Sequence, residues 1–159
     1  MDRNTAKSRF TVLIDTNILV SGLVFRKGNE HKILKLAEDG MITLVLPEFV
    51  LEEAREVFAR RFPGHASLLE AFLSQVERST VPRERIEEWI TQYQGAVRDA
   101  KDAAVLTSTV LSKPRFAITG DKTLRDDMRR CEAARGTTTC SSSEFLKAFR
   151  KQSLKRKAP

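Results

Sequence analysis

"VLIDTNILVSG", residues 12–22, carries an apolar, β-branched run straight into an acid, a hydroxyl and an amide. A strand that reads as core and then ends in Asp15, Thr16 and Asn17 ends either in a helix cap or in the floor of a site. As a cap, the Asp15 carboxylate would satisfy free N–H groups of a short helix through Ile18 to Leu23. As a site, it would sit where open α/β sheets form their ligand crevices, at the carboxyl end of a parallel strand. In extended backbone Asp15 and Asn17 share a face, and Thr16 points away.

Outward from this stretch, short apolar runs alternate with longer helical ones, which predicts an α/β domain around a mostly parallel sheet. The first strand spans about residues 10–15. A helix from about Glu30, carrying Ile33, Leu34, Leu36 and Ala37, stops at Gly40, and a strand follows over residues 42–46. Pro47 opens a helix to about Arg61. Ser67 and Glu70 stand at capping-box spacing before a helix carrying Leu69, Phe72 and Leu73. A weaker helix follows Pro82. With no strand read between Pro47 and Tyr93, these helices look like an arm attached to the sheet. A helix over about 102–111, a strand over 115–119, a helix over 123–130, a strand near 137–140 and a last helix opened by Ser141 and Glu144 complete the pattern.

The chain has 21 acidic residues, so position must sort them. Glu53 falls three after Val50 and four before Val57, which puts it within the inward stripe of the Pro47 helix. A buried, unpaired carboxylate is costly, so Glu53 calls for a cation, a metal or a cleft. Asp102 precedes Val105 and Leu106 by three and four, so it begins the face that packs on the sheet. It is either a cap or part of a site, and Asp99, one turn earlier, either shares that site or flanks it. Asp121 follows the buried run Phe116 to Thr119 and repeats the position of Asp15 at a second strand end, with Gly120 allowing close backbone approach. If the strand order brings these ends together, Asp15, Glu53, Asp102 and Asp121 meet at one sheet edge. Four carboxylates there repel strongly unless divalent cations join them, and oxygen-only ligands select Mg²⁺ or Mn²⁺ over zinc.

Bulk properties agree. The 159 residues suit one domain, expected over 1–150, with a basic tail over 151–159 that includes Arg150's neighbours Lys151, Lys155, Arg156 and Lys157. No apolar run approaches the roughly 18–20 residues needed to cross a bilayer. The opening MDRNTAKSRF lacks the hydrophobic segment of a signal peptide, so a cytoplasmic protein is expected. Cys131 and Cys140 have no partners at zinc-site spacing and read as ordinary thiols. The net charge of +7 biases the protein towards polyanions. An acidic pocket in a basic protein fits a phosphodiester substrate, with Lys and Arg on the backbone and metals on the scissile phosphate.

The blocks "VLIDTNILVSGLVF", "LPEFVLEEAREVF", "VRDAKDAAVL" and "FAITGDKTL", in that order over about residues 10–125, resemble the PIN domain. More narrowly, the chain resembles the PIN subgroup of toxins from toxin–antitoxin pairs, related to VapC-type ribonucleases. "TTTCSSSEFL" fits that family's last strand and helix. The resemblance implies a Rossmann-like three-layer fold and a cytoplasmic, Mg²⁺- or Mn²⁺-dependent endoribonuclease whose metal-activated water hydrolyses RNA. It assigns the catalytic and metal-binding roles to Asp15, Glu53, Asp102 and Asp121, and supporting roles to Asn17 and Thr119. It also implies a cognate antitoxin and a homodimer as partners, and no membrane. Two positions depart from the family: Pro47 stands where a Ser is usual, and Thr123 where a second acid often follows Gly-Asp.

Two rival readings compete. A haloacid-dehalogenase-type phosphatase also starts with an acid at the first strand end, but it needs an Asp two residues on, where Asn17 stands. The other rival keeps the PIN fold as a non-catalytic metal- or RNA-binding module. His31 and His65 have no evident nucleophile nearby, and His31 reads as a surface residue.

Overall fold

In the computed structural model, which describes residues 10–157, the elements run β1 (Phe10–Ile14), α1 (Thr16–Val24), α2 (Asn29–Glu38), β2 (Ile42–Val45), α3 (Glu48–Arg61) and α4 (Ala66–Gln75). They continue through β3 (Arg78–Ser79), α5 (Arg83–Tyr93), α6 (Ala103–Ser112), β4 (Phe116–Ile118), α7 (Lys122–Arg130), β5 (Thr138–Cys140) and α8 (Ser142–Lys157). The five strands form one sheet in the order β3-β2-β1-β4-β5, and every neighbouring pair is parallel.

Strand alternation divides the core into two layers. Val12, Ile14, Ile42, Leu44, Phe116 and Ile118 point into one apolar cluster, with residues of α1, α2, α3, α4 and α8. Leu13, Val45 and Ala117 point the other way, against α5, α6 and α7. A strand covered on both faces has no polar side, which is why residues 12–14 of β1 and the whole of β4 read as unbroken apolar runs. The result is a three-layer α/β domain.

The connections fix where a cleft can open. From β1 the chain moves outward to β2 and β3, then returns past β1 to lay down β4 and β5. The strand order therefore reverses between β1 and β4, and at such a switch point the crossing helices diverge and leave a crevice at the carboxyl ends. Pairing of Ile14 with Ile118 sets the ends of these two strands level. Asp15 and Thr119 leave the sheet side by side.

Several boundaries follow local chemistry. Gly40 takes φ 74° just past α2, the left-handed stop expected of it. Ser141 and Glu144 form a reciprocal capping box, with Ser141 N–H donating to Glu144 Oε1 (2.9 Å) and Glu144 N–H to Ser141 Oγ (3.2 Å). At Gly22 a Cβ would lie 2.5 Å from Leu34 Cδ1 and 2.9 Å from the Glu30 carbonyl oxygen, so α1 and α2 can approach this closely only over glycine.

Other expectations need correction. The stretch expected to be purely helical between Pro47 and Tyr93 contains β3, missed because its two exposed residues carry no apolar signal. Ser67 and Glu70 form no capping box: α4 starts at Ala66, and Glu70 instead pairs with Arg55 of α3 (2.9 Å). Phe58 of α3 is fully buried and extends the stripe begun by Val50 and Ala54. Most of the basic stretch expected over 151–159 is helical, as the last turns of α8, which runs from Ser142 to Lys157. Residues 158–159, and the N-terminal segment read for a leader, lie outside the described residues. Among the described residues no helix is long and apolar enough to cross a membrane.

Candidate active site

Asp15 resolves the choice posed by its sequence by doing both things at once. It is the N-cap of α1, its Oδ1 accepting from Ile18 N–H (3.1 Å). Its Oδ2 accepts from Thr119 Oγ1 across the switch point (2.5 Å). The Thr119 hydroxyl in turn accepts from Asp121 N–H (3.2 Å), and Asp121 caps α7 by accepting from Leu124 N–H (3.1 Å). One threonine thus joins the two strand-end acids. Arg125 fixes the corner by donating to the Thr119 carbonyl (2.9 Å). Gly120 has open space where a Cβ would stand, so close approach is not its role.

The chain turns helical directly after Asp15, so strand alternation does not extend to Thr16. Rather than pointing away, Thr16 is buried and donates from Oγ1 to Glu53 Oε2 (2.7 Å). Sequence reasoning missed this residue because it carried the pleat one position too far. Asn17 is exposed and lines the same cleft. Glu53 is also exposed, not buried within the α3 stripe as expected. The buried positions are Val50, Ala54 and Phe58, and Glu53 leans from their edge into the cleft mouth.

Asp102 ends a short 3-10 turn and opens α6 without its carboxylate accepting a capping hydrogen bond. Its Oδ2 is buried and has no hydrogen-bond partner among the described residues. Burial first, and then the carboxylates of Asp121, Asp99, Asp127 and Asp15, push its pKa up to about 6. Burial likewise raises Asp15, opposed by the Thr119 and Ile18 hydrogen bonds and reinforced by Asp121 and Glu53. Asp99 is turned elsewhere: it is exposed and caps the 3-10 turn by accepting from Lys101 N–H (3.0 Å).

Asp15, Glu53, Asp102 and Asp121 all line one cleft of about 520 Å³, together with Thr16, Asn17 and Thr119. A larger hollow of about 910 Å³ opens beside β3, lined by Glu48, Arg55 and Arg78 among others, and contains none of these acids. Charge, not volume, marks the site. The donor set is all oxygen, the chemistry that suits Mg²⁺ or Mn²⁺, and Asp102 Oδ2 carries no hydrogen bond among the described residues. Among the described residues no three His, Cys, Asp or Glu side chains stand together as a group that could hold a metal ion. The acids share a cleft but stand apart within it, as mutually repelling carboxylates do.

The histidines and cysteines take no part in this cleft. His31 is half-buried, its Nδ1 donating to the Gly22 carbonyl (2.9 Å), so it ties α2 to α1 where a surface residue was expected. Cys131 and Cys140 are free thiols, and burial pushes Cys140 up to about 12.

Three comparisons bear on this geometry. No curated protein matches the sequence. Among solved structures, a chain from VapBC2 of Rickettsia felis, bound to a DNA fragment from their promoter, superimposes with a TM-score of 0.59 at 15% identity. The likeness covers 82% of this chain and 98% of that one, and at such identity it speaks to fold alone. The sequence itself matches the PIN domain over residues 11–123, more than two-thirds of its length and the whole span from β1 to the start of α7. With acids at the ends of β1 and β4 and a sequence match across both strands, the chain belongs to the PIN domain family.

Proposed function

We infer that this protein is a metal-dependent endoribonuclease acting as the toxin of a toxin–antitoxin pair. The observation that carries the reading is the arrival of four acids from four separate segments in one cleft at the sheet's switch point, one of them with a buried oxygen left unpartnered. Retaining an uncompensated acid in a fold costs stability, and a cation-requiring reaction is the strongest reason to retain it.

Asp15, Glu53, Asp102 and Asp121 would hold one or two ions. Bound Mg²⁺ or Mn²⁺ would supply Lewis-acid stabilisation of the charge building on the phosphate and lower the pKa of water. In the hydrolysis, water oxygen bonds to phosphorus, one ester P–O bond breaks, and the departing oxygen takes a proton. Thr119 orients Asp15, and Thr16 orients Glu53, so both carboxylates present fixed lone pairs to the cleft. Asn17, exposed on the cleft wall, would orient water and ligands from beside the carboxylates.

The toxin role draws support from the fold shared with a VapBC2 chain, and it implies an antitoxin partner. The test is cleavage of a mixed RNA pool under Mn²⁺ by wild type and by Asp15→Asn. Cleavage by the wild type alone supports the nuclease; cleavage by both excludes this mechanism. Salt-sensitive RNA binding without cleavage by either makes the protein a binding module. Co-expression with the product of the adjacent upstream reading frame checks the pairing: a stable complex that suppresses cleavage is expected.

A further inference from the structure

The cleft that gathers four acids is also lined by two cations. Arg60, in the last turn of α3, and Lys101, in the turn leading to Asp102, both line it and both are exposed. Many arginines of this chain are committed to its own carboxylates: Arg55 to Glu70, Arg83 to Glu52, Arg98 and Arg130 to Asp127, and Arg129 to Glu144. Arg60 and Lys101 form no ion pair among the described residues, although Glu56 and Asp102 line the same cleft. Their charges are available to an anion from outside.

Their placement is two-sided. The α3 helix belongs to the core layer on one face of the sheet, and α6, which follows Lys101, belongs to the layer on the other. A strand of phosphates laid across the end of the sheet would meet Arg60 at one rim and Lys101 at the other, with the acids between. Phe49 and Val57, both half-buried on α3, also line the cleft and give sugars and bases an apolar edge. Resting on the nuclease reading above, we propose that Arg60 and Lys101 bind the RNA phosphates on either side of the one that is cut. This grip sets the direction in which a single strand crosses the cleft.

The experiment is fluorescence anisotropy of wild type, Arg60→Ala, Lys101→Ala and the double variant with a fluorescein-labelled, mixed-sequence single-stranded RNA. Ca²⁺ replaces Mg²⁺, and salt is varied. Each lost phosphate contact lowers the slope of log affinity against log salt by about 0.7. The double variant is expected to bind about tenfold more weakly at low salt, with a slope reduced by about 1.4. In Mn²⁺ its KM rises while kcat stays within about twofold of wild type, because grip away from the reacting phosphorus is uniform binding. Arg61→Ala, an exposed neighbour outside the cleft lining, keeps the wild-type slope. An unchanged slope in the double variant, or an equal loss in Arg61→Ala, overturns the phosphate grip and leaves the nuclease reading standing. Wild-type protein that binds no RNA overturns both.

Discussion

Asp127 on α7 and Asp102 at the start of α6 are acids drawn into the same helical layer, and the fold treats them in opposite ways. Asp127 is 3% exposed yet fully supplied, accepting from Arg98 N–H, Arg98 Nε and Arg130, each at 2.9 Å. The Arg98 backbone N–H, ahead of the two guanidinium groups, holds its carboxyl below the usual range. Among the described residues Asp102 forms no ion pair and keeps one oxygen without a partner, and its pKa is pushed up to about 6. Both keep carboxylate oxygen out of water, Asp127 nearly whole and half-buried Asp102 at its Oδ2, so burial alone does not mark a functional acid. What separates them is whether the chain completes the carboxylate's hydrogen bonding itself or leaves that to something else.

The contrast can be broken or sharpened by substitution. On the proposed metal-dependent mechanism the largest expected effect is on the cleft side: Asp15→Asn would remove a ligand charge worth several kcal/mol to the transition state, a loss on the order of 10³ in cleavage rate under Mn²⁺. On the structural side, Asp127→Asn should cost about 2 kcal/mol in urea denaturation, the worth of charge-assisted hydrogen bonds, with Mn²⁺ affinity unchanged. Because the Asp127 pKa is depressed in the folded state, its stabilisation is present above the unfolded value and is lost as pH falls. The gap between wild type and variant should therefore narrow below about pH 4. If the variant instead loses Mn²⁺ binding, Asp127 belongs to the cleft and the contrast fails.

Thr16→Val should weaken Mn²⁺ binding, read by calorimetry, by about tenfold, the lower end for residues that orient a ligand, and Thr16→Ser should restore it. The smallest effect has the opposite sign. Asp102→Asn in the presence of EDTA should raise the melting temperature by a few degrees at neutral pH, since it deletes an uncompensated charge. A lower melting temperature would mean that Asp102 is a structural acid like Asp127.

Much of this arrangement was legible before any coordinates, and the misses have physical causes. The apolar runs of β1 and β4 and the stops at Gly40 and Gly120-Asp121 declare a parallel sheet, because buried strands and their exits have few alternatives. Cap and cleft were posed as competing readings of Asp15, yet capping engages only Oδ1, while Oδ2 meets the Thr119 hydroxyl at the cleft. Glu53 was found for an inexact reason: the stripe predicted burial, whereas its long side chain reaches the cleft from the helix edge. Thr16 was lost because the onset of α1, which ends the alternation, leaves no mark in a single sequence. Asp127 was invisible, since its cations come from 29 residues upstream and three downstream, and only tertiary packing brings Arg98 to it.

The central position of β1 has a consequence for synthesis. The first strand to leave the ribosome needs β2 on one side and β4 on the other, and the hydroxyl that holds Asp15 arrives only with Thr119. For most of translation the nascent chain carries its leading acid with no partner to orient it. For the ribonuclease proposed above, competence to cut the message being read would thereby be deferred until about three-quarters of the polypeptide exists, a delay written into strand order.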